Sequence, residues 1–78
     1  MPRLPILSGA ELISLLELFG FVQVRQKGSH IVLKKNTSVQ SIGTVVPNHK
    51  ELAEGTLRAI LRQCHITPDE FIEKYRSK

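Results

Sequence analysis

The chain has 78 residues, of which 41% are hydrophobic and 23% are charged, and its formal net charge is +4 at pH 7. This length allows one domain with a small core, and the composition favours a folded chain over a disordered one. The single cysteine, Cys64, excludes an internal disulfide and a cysteine-based zinc site. The positive charge favours an anionic partner, either nucleic acid or an acidic protein surface, although many small basic proteins bind neither.

The first predicted element is a helix over about residues 9–19. Ser8 and Glu11 have the spacing of a capping box, which is typical of a helix N-terminus. Four apolar residues follow at the i, i+3, i+4, i+7 spacing of one helical face: Leu12, Leu15, Leu16 and Phe19. Gly20 then supplies the left-handed residue that commonly ends a helix.

Three strands are predicted next, over about residues 21–26, 30–34 and 39–46. Polar and apolar residues alternate in the first strand from Val22 onwards. The Gly28-Ser29 pair turns the chain before the second strand, and residues 35–38 form the next turn. Gly43 marks a weak point or a bulge in the third strand. Because the connections are short, we expect an antiparallel meander.

The second predicted strand has two chemically different faces. Alternation places Ile31 and Leu33 on one face and His30 and Lys34 on the other. If the apolar face packs against the core, His30 lies on the open face, with Lys27 before it and Lys34 after it in the chain. An imidazole that titrates near neutral pH and lysines that attract phosphate suit phosphodiester chemistry. A surface histidine in an ordinary hairpin is the alternative, which this stretch alone favours.

The chain leaves the third strand through a polar loop over residues 47–52, which has room for a helical turn. A second helix is predicted over about residues 55–64, and its apolar face consists of Leu57, Ile60, Leu61 and Cys64. Arg58 and Arg62 lie four residues apart on another, solvent-facing side of this helix. We expect Cys64 to contribute packing rather than chemistry.

Thr67 and Glu70 form a second capping box, with Pro68 at the first position of a short last helix. The element order is therefore α-β-β-β-α-α, with helices covering one sheet face and the other face open to water. The last two helices could instead form a helix-turn-helix. The acidic start of the second one makes it a poor recognition helix, so two helices that back a sheet are the better interpretation.

Other site chemistries find little support in the sequence. His30, His49 and His65 have no His-x-x-x-His spacing and no carboxylate cluster beside them, so we expect no metal site. No phosphate loop or dinucleotide fingerprint is present, and we expect no cofactor. A Ser29–His30 pair is geometrically poor for catalysis, because neighbouring strand residues point in opposite directions. Ser29 is better interpreted as a turn residue or as a hydrogen-bond donor to phosphate.

The start of the chain, over residues 1–4, does not look like a signal peptide. No run of apolar residues is long enough to span a membrane. These observations, together with the single cysteine, lead us to expect a cytoplasmic protein with no membrane contact.

Three segments resemble the HicA/YcfA toxins. They are Gly28-Ser29-His30 before the second strand, residues 46–52 after the third strand, and residues 55–63 in the second helix. Residues 8–12 and 18–21, at the two ends of the first helix, are similar to that family as well. Each motif is weak alone, but their order and spacing over nearly the whole chain make a fairly specific combination.

The resemblance implies an α+β fold like the double-stranded-RNA-binding domain, α-β-β-β-α(-α), with residues 1–78 as a single domain. It implies the toxin of a type II toxin–antitoxin pair, which acts as a ribosome-independent endoribonuclease, or mRNA interferase. A HicB-like antitoxin would neutralise it. The family's catalytic histidine corresponds to His30, because the Gly-Ser-His motif matches in full.

We therefore expect His30 to act as a general base or acid on mRNA. The residues expected to hold the RNA are Lys27, Gly28, Ser29, Lys34, Lys35 and Lys50. Two alternatives stay open. A non-catalytic RNA-binding module would hold duplex RNA through phosphates and 2′-hydroxyls. A protein-interaction subunit would use its basic surface only to meet an acidic partner.

Overall fold

The protein is described by a computed structural model that covers residues 3–77. Its elements are α1 (Gly9–Leu18), β1 (Val22–Lys27), β2 (His30–Asn36), β3 (Ser41–Pro47), α2 (Glu54–Gln63) and α3 (Pro68–Ser77). The predicted order α-β-β-β-α-α is confirmed. Met1, Pro2 and Lys78 lie outside the described residues. The prediction that residues 1–4 are not a signal peptide therefore falls partly outside them.

Local hydrogen bonds begin the first and last helices as the sequence predicts. The backbone N–H of Glu11 donates to Ser8 Oγ at 3.1 Å, and the N–H of Ser8 donates to Glu11 Oε1 at 2.9 Å. Thr67 and Glu70 form the same reciprocal pair before α3, at 2.9 and 3.1 Å. Gly20 has a φ of +97°, which is the left-handed conformation expected after α1.

The three strands form one antiparallel sheet in the order β1-β2-β3, which confirms the meander. Gly28 and Ser29 alone separate the paired residues Lys27 and His30. Gly28 has a φ of +59°, as the first central residue of a two-residue hairpin turn often requires. This turn fixes the register of β1 against β2.

The start of β3 differs from the prediction. The strand begins at Ser41 rather than at residue 39, because Thr37 closes a four-residue loop. The backbone N–H of Thr37 donates to the carbonyl oxygen of Gln40 at 2.8 Å, and the N–H of Gln40 donates to Thr37 Oγ1 at 3.0 Å. Val39 therefore lies at the tip of the hairpin, where it is 86% exposed.

Gly43 was predicted to be a weak point or a bulge, and no bulge occurs there. Gly43 pairs with Lys34 in an unbroken register. The irregularity lies in β1 instead, where Gln23 pairs with Leu33 and Arg25 pairs with Val32. Val24 is the extra residue between these pairs, and an extra residue reverses the faces of the side chains that follow it.

The core lies between one face of the sheet and the helices. Ile31 and Leu33 are buried on this face, as the alternation predicts, and Ile42 and Val46 of β3 join them. The buried helical residues that complete the core include Leu12, Leu15 and Leu16 of α1, Leu57, Ile60 and Leu61 of α2, and Phe71 of α3. Cys64 is buried in the same cluster, which confirms its packing role. The small sheet thus acquires its second layer on one side only.

The loop between β3 and α2 contains no helical turn, contrary to the expectation. Backbone hydrogen bonds hold it instead. The N–H of Asn48 donates to the carbonyl oxygen of Ser29 at 2.7 Å, and the N–H of Leu52 donates to that of Leu7 at 2.8 Å. The loop is therefore fixed at the end of the sheet where β2 begins. No helix within residues 3–77 is long and apolar enough to cross a bilayer.

Candidate nucleic-acid interface

His30 lies on the sheet face that the helices leave uncovered. Ile31, its neighbour in β2, points into the core, so the side chain of His30 points to the opposite face, where it is exposed. Lys27 lies directly opposite His30 on β1, and Pro47 lies opposite it on β3. Directly opposed Cα atoms in such a sheet are about 4.5–5.5 Å apart, so Lys27 is an immediate neighbour of the imidazole.

The bulge at Val24 brings Arg25 to the same face. Arg25 pairs with Val32, which shares the open face with His30. Uninterrupted alternation from Gln23, which faces the helices opposite Leu33, would have placed Arg25 on the helical side. Arg25 is instead a diagonal neighbour of His30, at about 7–8 Å between backbones.

Lys34 also lies on the open face, farther along β2. It pairs with Gly43 on β3, and a Cβ atom built on Gly43 would be 3.8 Å from Lys34 Cγ. The lysine side chain therefore lies against the bare backbone of β3. Lys34 lies four positions after His30, which corresponds to about 13 Å along the strand.

Lys35 lies on the other side of the sheet. It pairs with Ile42, which is buried under the helices. Its Nζ atom lies 5.9 Å from the centroid of the Phe21 ring, a distance at which a cation and an aromatic face attract each other. The structure thus separates Lys35 from the surface that contains His30, although the two lysines 34 and 35 are neighbours in sequence.

The remaining candidate residues lie at the His30 end of the sheet. Gly28 and Ser29 form the turn that leads into His30, and the carbonyl oxygen of Ser29 accepts the hydrogen bond from Asn48. Lys50 is exposed in the loop that follows β3. This end therefore offers a turn, a loop and the imidazole on one accessible border.

The open face is positively charged without compensation. The strands β1, β2 and β3 contain no aspartate or glutamate. Within residues 3–77, no carboxylate forms an ion pair with Arg25, Lys27 or Lys34, whereas on α2 Arg58 Nε pairs with Glu54 Oε2 at 3.0 Å. We define the open basic face as His30 together with Arg25, Lys27 and Lys34. Such a surface attracts phosphate.

No group of three His, Cys, Asp or Glu side chains is arranged to hold a metal ion in the part of the chain that the structure describes. Buried side-chain polar atoms in that part all have a hydrogen-bond partner. Thr44, for example, donates from Oγ1 to Gln63 Oε1 at 2.7 Å.

The sequence prediction identified three of the four members of this face and missed Arg25. A usable indication was present, because a two-residue turn at Gly28 and Ser29 sets Lys27 opposite His30 and leaves Arg25 two residues farther back. Counting alternation forward from Val22 hides this relation, since the bulge reverses the count.

Comparison with known proteins supports the sequence resemblance. Residues 9–66 match the family model described as HicA toxin of bacterial toxin-antitoxin. Searches of curated proteins and of solved structures gave no match. The matched segment runs from the first residue of α1 to the end of the turn after α2, and it includes the whole sheet and His30. The topology is that of an α+β domain of the double-stranded-RNA-binding type, with α3 added beyond the matched segment. The chain belongs to the HicA family of toxins of bacterial toxin–antitoxin systems.

Proposed function

We propose that this toxin is an mRNA interferase, an endoribonuclease that cleaves mRNA without the ribosome and uses His30 as its acid–base group. The observation that supports this most is that His30 shares the open basic face with three cationic side chains, of which Lys27 is the nearest along the strand pairing. The imidazole is exposed, and Lys27 lies directly opposite it on β1. The family's Gly-Ser-His motif occurs in full at residues 28–30.

The chemistry requires proton transfer at the scissile phosphodiester. A neutral imidazole can take the proton from a ribose 2′-hydroxyl as that oxygen attacks phosphorus, and an imidazolium can give a proton to the leaving 5′-oxygen. His30 serves in either role. Among the described strand residues, His30 has no second histidine and no carboxylate beside it, which implies slow turnover that a toxin tolerates.

The cations of the face would position the RNA in two places. Lys27 and Arg25 lie close enough to His30 to contact the scissile phosphate and stabilise the charge that develops on it. Lys34 lies about 13 Å along the strand, so it suits a neighbouring phosphate of the same strand. The sheet residues on this face include no Phe, Tyr or Trp. We therefore expect recognition through the backbone of the RNA more than through stacked bases.

A binding module without catalysis is the second candidate, because the double-stranded-RNA-binding type of fold also binds RNA without cleaving it. The deciding experiment incubates the purified chain with an end-labelled single-stranded RNA in the absence of ribosomes. New RNA ends support the proposal. Intact RNA in a retarded complex would support the binding module, and failure to bind RNA even at low salt would support a protein-interaction subunit.

The toxin acts, in this proposal, on cytoplasmic mRNA and is held inactive by a HicB-like antitoxin. We propose that the antitoxin masks His30, directly or sterically, because covering the open basic face would block substrate and catalyst together. Since the face is cationic, an acidic partner would associate fast and in a salt-dependent way. RNA cleavage that persists in the stable complex would contradict this arrangement.

A further inference from the structure

The outer edge of β3 has main-chain groups that the sheet does not use. Asn48 and Ser29 are joined by the 2.7 Å backbone hydrogen bond described above, so their pair belongs to the hydrogen-bonded set of the β2–β3 ladder. Hydrogen-bonded and non-bonded pairs alternate along an antiparallel ladder. Gly43 and Val45 therefore belong to the non-bonded set, and their N–H and C=O groups point away from β2. Pro47, which has no N–H, occupies the next position of that set.

These outward groups find no partner within the described chain. The backbone and side-chain hydrogen bonds of residues 3–77 include none to the N–H or C=O groups of Gly43 and Val45. Both residues are exposed. The edge thus presents alternating donors and acceptors over a short stretch, which is the template that an added strand requires.

A groove beside this edge provides space for such a strand. A cavity of about 630 Å³ lies between β3 and α2. Its α2 wall is made of small or short residues, Gly55, Thr56 and Ala59, followed by Gln63. On the other side of the edge, Lys34 lies across Gly43 with Cγ 3.8 Å from the position of a Cβ there. An added strand would therefore meet an apolar groove on one face and a lysine on the other.

We propose that the edge of β3 binds an extended, acidic segment of the antitoxin as a fourth strand, with apolar side chains toward Ala59 and a carboxylate toward Lys34. This inference rests on the toxin–antitoxin membership and deepens the proposed masking of His30. The unused donors and acceptors of Gly43 and Val45 would supply the main-chain hydrogen bonds. Charge complementarity selects the occupant, because the open basic face has no carboxylate of its own.

A second copy of this chain fits the edge poorly. Two β3 edges paired with each other would bring two Lys34 side chains together, and each chain has a formal net charge of +4. An acidic strand avoids this repulsion. It would lie two strand spacings from His30, which is about 10 Å, and would bring the body of the antitoxin to the border of the site.

Amide hydrogen exchange of the toxin, alone and in complex with its cognate antitoxin, tests the proposal at single residues. In the free toxin, the amides of Ile42 and Thr44 should exchange slowly and those of Gly43 and Val45 rapidly. In the complex, the latter two should slow by about tenfold or more as they gain partners. Rapid exchange at both positions in a tight complex would overturn the proposal. Slow exchange at both in the free toxin at high protein concentration would point to a second copy and overturn the acidic occupant.

A matched pair of proline variants gives a second readout. Val45→Pro removes an outward N–H and leaves the β2 ladder intact, so it should weaken antitoxin binding by about tenfold or more. Gln26→Pro removes an outward N–H from the opposite edge, on β1, and should leave the affinity unchanged. Equal affinities of the two variants, or a loss confined to Gln26→Pro, would overturn the assignment. If Val45→Pro does not fold, the exchange measurement on the unmodified toxin decides alone. RNA cleavage is assayed separately on the free toxin, so a failed ribonuclease proposal stays distinguishable from a failed docking site.

Discussion

Gly9 donates its backbone N–H to the carbonyl oxygen of His49 at 2.9 Å, which joins the first residue of α1 to the loop that follows β3. The two segments approach so closely that a Cβ on Gly9 would lie 2.9 Å from the Cα of Asn48 and would also collide with the carbonyl of Pro47. Backbone atoms cannot yield as a flexible side chain can. The contact therefore requires glycine, and it holds the loop at the His30 end of the sheet.

Gly9→Ala should lower the free energy of unfolding by about 1–3 kcal/mol, since the added methyl group overpacks a site bounded by backbone. Gly55→Ala is the matched control, because nothing lies within 4 Å of a Cβ there. It replaces glycine near the start of the other sheet-packed helix and should raise stability by about 0.5–1 kcal/mol. Urea unfolding of both variants measures the difference. Equal effects of the two changes would contradict the close contact at Gly9.

Lys34→Gln and Lys35→Gln remove the same charge at neighbouring positions on opposite faces of the sheet. If RNA lies on the open basic face, Lys34→Gln should weaken RNA binding. The plot of log binding constant against log salt concentration should become shallower, by the amount expected for the loss of about one phosphate contact. Lys35→Gln should leave RNA binding nearly unchanged. It should instead cost about 0.5–1 kcal/mol of stability through the lost contact with the Phe21 ring. Binding titrations at several salt concentrations measure the effect on RNA affinity, and thermal melts measure the effect on stability. A larger loss of RNA affinity in Lys35→Gln than in Lys34→Gln would contradict RNA binding on the open basic face.

The Cys64 thiol makes stability depend on alkaline pH. Burial raises the pKa of Cys64 from 9.0 to about 11, and a side-chain hydrogen bond with Thr44 offsets part of the rise. The unfolded thiol ionises near pH 9 while the folded thiol stays neutral, so this contribution to stability is full below pH 9 and is lost between pH 9 and about 11. Unfolding measurements on the wild type and Cys64→Ala over this range should show a steeper decline in the wild type. Parallel pH profiles would contradict a buried, neutral thiol.

His65 is a non-glycine residue with a φ of 60°, in the left-handed region. It lies just after α2, where its N–H donates to the carbonyl oxygen of Arg62 at 3.2 Å and the N–H of Ile66 donates to that of Leu61 at 3.0 Å. This pair of hydrogen bonds is the usual reason for a left-handed residue at a helix end. His65→Gly should raise the free energy of unfolding by about 0.5–1 kcal/mol, because glycine adopts this conformation without strain. A thermal melt that shows a loss of stability would mean that the imidazole stabilises the turn in a way the geometry does not reveal.

Short-range patterns predicted the elements of this fold well. The two capping boxes, the glycine after α1 and the apolar spacing of α1 and α2 depend on residues three or four positions apart, and the structure confirms them. The core face of β2 followed from strict alternation over Ile31 and Leu33. In these cases the local pattern and the tertiary packing favour the same structure.

The errors concern features that neighbouring strands decide. Gly43 was expected to be a weak point or a bulge, but the extra residue is Val24, on the opposite edge strand. The sequence around Val24 contains no residue type that indicates a bulge, because the bulge is defined only by how β1 pairs with β2. The same bulge brings Arg25 to the side of His30, a relation that alternation counted forward along β1 does not show. Lys35 is different, because the regular alternation of β2 already places it with Ile31 and Leu33, on the face opposite His30.

In the proposed mechanism, the His30 imidazole transfers the proton during RNA cleavage. Single-turnover cleavage of a labelled RNA by His30→Ala tests this role, with His49→Ala as the control, since His49 is exposed in the loop beyond β3 and is not part of the open basic face. Loss of an acid–base group costs about 10²–10⁴-fold in rate. We predict a loss of this size in His30→Ala, with RNA binding and stability retained, and wild-type cleavage in His49→Ala. Cleavage by His30→Ala at the wild-type rate would contradict the assignment.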